Sequence, residues 1–222
     1  MTTGTTVVLL YFMAQAELFT NVALHSHEVP GFTLQPDYIT PEEERELLAH
    51  VDQGPWETDW RRRIQQYGLG YSDSGGKPTW IRDLPDWLLP FAERVARDAN
   101  FERFPENCVI NEYIPPLGIG PHRDYPAFGP TIACVSLGSD VILDLTKADR
   151  SKRVAIHIPP RSLWIMTGEA RTKWLHSIAA RLSDVIEGER RKRARRVSIT
   201  FRTAKNPVAV PNHRPLLQVA QP

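Results

Sequence analysis

Apolar residues recur at helical spacing in two places in the first half of the chain. The run Thr40-Pro-Glu-Glu-Glu reads as an N-cap, a proline at the first helical position and acids over the positive helix end. It predicts a helix to about His50 or Val51. Leu88, Phe91, Val95 and Ala99 repeat at the same spacing with arginines between them, which predicts a second helix from Trp87 to about Asn100. Both are expected to buttress a sheet. After Pro105 the pattern becomes short β-rich runs at residues 108–113, 131–137, 141–145, 154–158, 162–166 and 196–201, separated by Gly, Pro and Asp turns. Many short strands at this spacing indicate a sandwich or barrel.

Between the helices, Trp60-Arg-Arg-Arg-Ile-Gln-Gln-Tyr-Gly-Leu-Gly-Tyr71 interleaves cations with aromatics and runs into a Ser/Gly-rich turn from Ser72 to Gly76. That combination suits a mobile loop or hairpin facing a nucleic acid. A second basic run, Arg190-Arg-Lys-Arg-Ala-Arg-Arg196, leads directly into the last predicted strand.

Composition changes this picture little. With 222 residues, 41% hydrophobic and 24% charged, the chain has the make-up of an ordinary globular protein. A net charge of +1 argues against a protein that coats nucleic acid with its whole surface, but positive charge can still be concentrated where a polyanion docks. Cys108 and Cys134 are too few for a disulfide scaffold or a zinc ribbon and read as small core residues, and a reducing cytoplasm is the expected compartment. The apolar run from Val7 to Ala14 has no preceding Lys or Arg and falls well short of the roughly 20 residues of a spanning helix, so neither a signal peptide nor a membrane anchor is expected.

The candidate chemistry lies in the second half. His122 and Asp124 are two residues apart, so on an extended segment both side chains leave one face and can meet one ion. His176, just after Trp174 and Leu175, can supply a third ligand. Two histidines and a carboxylate suit non-haem Fe(II) with open coordination positions, and they also suit Zn²⁺ with a bound water. The last strand helps to decide between the metals. In Arg196-Val-Ser-Ile-Thr-Phe-Arg202, alternation puts Arg196, Ser198, Thr200 and Arg202 on one face and Val197, Ile199 and Phe201 on the other. Two same-face guanidinium groups are costly to bury unless anions meet them, and a dicarboxylate would satisfy both. Asn111 and Tyr113 project from one face just before the metal pair and offer an amide and a phenol to the same ligand.

Asn111-x-Tyr113, His122-x-Asp124, His176 and Arg196-x5-Arg202, taken together, resemble the AlkB-like 2-oxoglutarate and Fe(II)-dependent dioxygenases. Ser136-Leu-Gly-Ser139, Arg161-Ser-Leu-Trp-Ile-Met-Thr-Gly-Glu169 and Trp174-Leu-His176 are similar to that family as well, so the resemblance spans residues 29–203. It implies an α+β chain with a mainly β core, a double-stranded β-helix (jelly roll) flanked by helices, with an N-terminal nucleotide-recognition lid. The implied organisation is an extension at 1–28, buttress and lid at 29–104, dioxygenase core at 105–203 and a tail at 204–222.

The implied cofactors are Fe(II) on His122, Asp124 and His176, the co-substrate 2-oxoglutarate on Asn111, Tyr113, Arg196, Ser198 and Arg202, and O2. The implied substrate is alkylated DNA or RNA, single-stranded or with its target base flipped, held by Trp60, Arg61, Arg62, Arg63, Tyr67, Tyr71 and Tyr125. The activity expected from the resemblance is oxidative dealkylation of an N-alkylated base with release of formaldehyde, succinate and CO2. No obligate protein partner and no membrane are implied. Tyr125-Pro126 follows the metal pair where the best-known repair pattern carries a further acid, which leaves open a tRNA-modifying or protein hydroxylase with the same chemistry. A metal-holding nucleic-acid binding module without turnover is the remaining alternative.

Overall fold

In a computed structural model, residues 24–25, 28–59, 61–70 and 78–210 are described. The apolar run at Val7, Trp60 and Tyr71 lie outside them. Fourteen strands and three helices follow in this order: β1 (Leu24–His25), β2 (Phe32–Gln35), α1 (Pro41–Asp52), β3 (Ile64–Gly70), β4 (Thr79–Arg82), α2 (Leu89–Asp98), β5 (Asn107–Tyr113), β6 (Ile119–His122), β7 (Phe128–Gly138), β8 (Val141–Lys147), β9 (Arg153–Ile158), β10 (Ser162–Met166), α3 (Gly168–Lys173), β11 (Trp174–Ile178), β12 (Ser183–Ile186), β13 (Glu189–Lys192) and β14 (Arg196–Ala204). All pairings are antiparallel, in one eight-stranded sheet (β1-β2-β10-β7-β14-β5-β3-β4), one four-stranded sheet (β6-β11-β8-β9) and the β12–β13 hairpin.

α1 starts as its sequence dictates. Thr40 Oγ1 accepts from Glu43 N–H at 3.1 Å, and Glu43 Oε2 accepts from Thr40 N–H at 2.9 Å, a reciprocal capping box with Pro41 just inside. α2 is shorter than its apolar spacing predicts. It begins at Leu89 without a side-chain cap, and the chain leaves the helical region at Asn100, whose φ is +52°.

Both helices pack on one face of the large sheet, where Val51, Leu88, Phe91 and Val95 meet Ile110, Val135, Val197, Ile199 and Phe201. Each such buried side chain contributes about 1.5–3 kcal/mol. The other face meets the four-stranded sheet through a second cluster that includes Ile132, Leu143, Leu145, Trp164, Trp174 and Ile178. The central strands β14, β7 and β5 are therefore buried on both faces, and their polar alternate residues point into the space between the sheets.

Of the loop or hairpin expected at Arg61–Tyr71, the fold takes the hairpin: Ile64–Gly70 is a buried strand that pairs with β5 and forms a hairpin arm with β4. Its bulge falls at Gly68, where φ is +68° and a Cβ would lie 2.0 Å from the Glu106 carbonyl oxygen, so only glycine fits. Three of the six cations in the basic run are met by acids within the fold. Arg193 makes two hydrogen bonds to Asp184, at 2.6 and 2.9 Å, and Arg191 lies near Asp140, Glu187 and Glu189. Arg195 clamps Glu112 on β5 and Asp52 at the end of α1, while Arg190 donates to Ser183.

Candidate metal and co-substrate site

β6 and β11 are adjacent strands, and their register places His122 directly opposite His176. Asp124 follows two residues after His122, just past the end of β6. The ring centroids of the two histidines are 4.1 Å apart. His122 Nε2 and His176 Nε2 point at the same oxygen, Asp124 Oδ1, from 3.7 and 3.6 Å, and all three ligand atoms lie within 4.8 Å of one another. These distances exceed hydrogen bonds, so the three groups converge without bonding to one another.

The tautomer is set for ligation at His122. Its Nδ1 faces the Gly120 carbonyl oxygen at 2.8 Å and donates to it, which leaves the Nε2 lone pair toward Asp124. Burial lowers the pKa of His176 to about 4 against the opposing pull of Asp124, so this imidazole is neutral at physiological pH. Burial alone would raise the carboxyl pKa of Asp124, but Arg202, His176 and His122 outweigh it and hold the group well below the usual carboxylate range. Two imidazoles and an ionised carboxylate are the donor set that an Fe(II) site requires, so the residues fit the ion.

Across a cavity of about 180 Å³ from this triad stand Asn111 and Tyr113 of β5 and Arg196, Ser198, Thr200 and Arg202 of β14. The register explains the set, since Arg196 pairs with Tyr113, Ser198 with Asn111 and Arg202 with Asn107. The two arginines are equally buried but differently met. Arg202 Nε donates to Asp124 Oδ2 at 2.6 Å, and its Nη1 donates to Asn107 Oδ1 at 2.8 Å. Arg196 donates to the Ser136 hydroxyl at 2.6 Å and lies 5.3 Å from the Tyr113 ring centroid, while its Nε is buried without a hydrogen-bond partner. Arg62 reaches the same end of the cavity, where it donates to Asn111 Oδ1 at 2.9 Å and lies 5.7 Å from the Tyr113 centroid.

Three residues with no sequence signal of their own belong to this site. Asn107 is on the same strand face as Asn111 and orients Arg202. Trp164 stands edge-on to His176 at 6.1 Å and walls the cavity. Arg171, buried in α3, donates to the carbonyls of Asp124, Tyr125 and Gly129 at 3.2, 3.1 and 3.3 Å and so fixes the loop that carries the carboxylate ligand.

The remaining expected substrate contacts divide. Arg62 lines the cavity, Arg61 is exposed, and Tyr125 is 38% exposed on the loop after Asp124. Arg63 instead faces away, bound to Glu112 at 2.6 and 2.8 Å and stacked on Trp56 at 4.6 Å. Tyr67 is 3% exposed in the helix-side core, with its hydroxyl donating to Gln65. Buried Tyr67 cannot reach a substrate from that position, whereas the Arg63 side chain, held by Glu112, is 45% exposed.

A double-stranded β-helix whose adjacent strands present two histidines and an aspartate, facing an arginine-bearing strand across one cavity, defines a non-haem iron oxygenase. The model of the 2OG-Fe(II) oxygenase superfamily matches residues 56–202. An "Alkylated DNA repair protein ALKBH8 homolog" of Arabidopsis thaliana is 31% identical over 205 residues, covering 80% of this chain and 59% of that protein. The Xenopus tropicalis "tRNA (carboxymethyluridine(34)-5-O)-methyltransferase alkbh8" is 30% identical over 205 residues, covering 80% of this chain but only 32% of that protein. The Danio rerio "Probable RNA/DNA demethylase ALKBH6" is 30% identical over 196 residues, covering 75% of this chain and 82% of that protein. Among solved structures, that of OsALKBH1 superimposes with a TM-score of 0.63 at 14% identity, covering 82% of this chain and all of that one, a likeness of fold.

The chain belongs to the 2OG-Fe(II) oxygenase superfamily, among its AlkB-like members. It is an Fe(II)- and 2-oxoglutarate-dependent dioxygenase. Among the described residues, no helix is long and apolar enough to cross a membrane.

Proposed function

We propose that this dioxygenase oxidatively dealkylates N-alkylated nucleobases in DNA or RNA. The observation that carries the reading is a buried Arg196 with an unpartnered Nε, across one cavity from a convergent His122, Asp124 and His176. His122, Asp124 and His176 would hold the iron. When bound, Fe(II) with 2-oxoglutarate and O2 supplies the oxidant that places one oxygen on the alkyl carbon and the other in succinate. The hydroxylated alkyl group leaves as formaldehyde, the base nitrogen regains a proton, and CO2 is lost from the keto acid.

The chain's own residues bind and orient. Arg202, already beside Asp124, faces the end of the keto acid nearest the iron, and Arg196 with Tyr113, Asn111 and Ser198 receives the distal carboxylate. Because Arg62 occupies Asn111 Oδ1, the amide nitrogen of Asn111 remains free to donate to that carboxylate. Ile119, Leu143, Trp164 and Ile178 line the rest of the cavity and limit water. Arg62 and Tyr125 stand where an incoming nucleotide would pass, and the names of the ALKBH8 and ALKBH6 relatives agree with a nucleic-acid substrate.

The test is release of formaldehyde and succinate from N-methylated oligonucleotides. Release above a His122→Ala control supports the reading, and none above it, with uncoupled 2-oxoglutarate turnover intact, refutes it. The lack of an acid after Asp124 favours a second reading, a tRNA or protein hydroxylase. Its product would gain one oxygen in mass and release no formaldehyde.

A further inference from the structure

A second cavity, of about 680 Å³, lies on the outer side of the ligand loop and shares Asp124 with the co-substrate cavity. Its walls carry Arg123, Arg171 and Lys205. Several cations elsewhere in the molecule are met by acids, among them Arg63, Arg103, Arg153, Arg193 and Arg195. These three form no ion pair among the described residues. Arg123 donates to the Thr172 carbonyl at 2.7 Å, and Arg171 donates to backbone carbonyls, so neither guanidinium is hydrogen-bonded to a carboxylate. Lys205 is exposed on the far wall. The carboxylate that lines the groove, Asp124, turns its oxygens inward to the histidines and Arg202.

We propose that this groove is a phosphodiester subsite for the substrate strand, an inference that rests on the nucleic-acid reading above. The target base enters the cavity on one side of the ligand loop, and the backbone beside it runs over the other side. Arg123 and Lys205 contact phosphate, while buried Arg171 contributes field without donors. Three cations without an ion-pair partner among the described residues complement a run of phosphates, and the shared Asp124 wall sets the groove beside the reaction site. Contacts of this kind add affinity without reading sequence.

The test is fluorescence anisotropy of a labelled single-stranded oligonucleotide on the anaerobic holoenzyme across a salt series, with Tm measured for every variant. Lys205→Ala and Arg123→Gln should each weaken binding about fivefold at low salt for every oligonucleotide sequence. Each should also lower the slope of log Kd against log salt by about 0.7, one phosphate's worth, and Lys205→Arg should restore it. Should Arg123→Gln lower Tm, exposed Lys205 carries the comparison alone. Wild-type binding with unchanged slopes in the variants overturns the groove and leaves the nucleic-acid reading standing. A wild-type protein that binds neither DNA nor RNA overturns both. Displacement of the oligonucleotide by an equally charged poly-glutamate peptide, lost in Lys205→Ala, assigns the groove to acidic protein and overturns the proposal.

Discussion

Arg196 and Arg202 lie on one face of one strand, both nearly inaccessible, yet they stand in opposite electrostatic situations. Arg202 has its anion within the protein, the Asp124 carboxylate at 2.6 Å, and a second acceptor in Asn107. Arg196 has a hydroxyl and an aromatic face. A buried ion pair broken on one side leaves a stranded charge, whereas a buried cation without an anion is itself a cost that a ligand can remove. One arginine therefore holds the Asp124 carboxylate in place, and the other has no anion of its own among the described residues.

The sharpest break in this comparison removes the shared carboxylate. Asp124→Ala should abolish turnover, and it should cost about 3–5 kcal/mol by removing the anion beside buried Arg202, read as a fall in the urea midpoint. Next come the two arginines. Arg202→Met should destabilise by a similar about 3–5 kcal/mol because Asp124 is then stranded. Arg196→Met should leave stability unchanged or raise it while weakening 2-oxoglutarate binding about 10–100-fold. Equal loss of stability in both variants would erase the distinction.

Arg171→Met removes three donors to the ligand loop and should lower iron affinity about 10–100-fold, measured by competition with a chelator. The smallest effect concerns acid. Arg63 and burial act in opposite directions on Glu112, and Arg195 adds to Arg63, so its folded pKa lies below the ordinary value; Asp184 is held down against burial by Arg193 and Arg181. Both groups are depressed in the folded state, so the stability they contribute is complete above the unfolded carboxylate range of about 4. It is lost as pH falls through the lower folded values. Denaturant midpoints should therefore drop below about pH 4, and less steeply in Glu112→Gln.

The strands of the second half were legible because alternation there coincides with burial: 162–166 is β10 to the residue, and 108–113 falls one short of β5. That missing residue hid Asn107. β3 was legible only as part of a loop or hairpin, because its segment interleaves cations with aromatics; Gln65 and Gln66 within it are buried. Gln65 donates to the Val51 carbonyl at 2.7 Å and Gln66 to Glu57 at 3.0 Å, so their amides are satisfied inside the fold. The site was legible through side-chain type and spacing, since β6 and β11 need only bring His122 and His176 into register. What spacing could not reveal was which cations the fold itself neutralises. Arg63 and Arg195 are matched to acids distant in sequence and Arg193 to Asp184, whereas Arg62 and Arg196 remain turned to the cavity.

The central claim is that three converging ligands hold iron and Arg196 anchors the keto acid opposite them. Anaerobic titration of 2-oxoglutarate into the Fe(II)-loaded protein, followed by visible charge-transfer absorbance, tests it most directly. Wild type should give a saturable one-to-one band, His122→Ala none, and Arg196→Met the same band at a much higher concentration. A wild-type band that persists in His122→Ala, or an Arg196→Met titration that overlays wild type, would contradict the account.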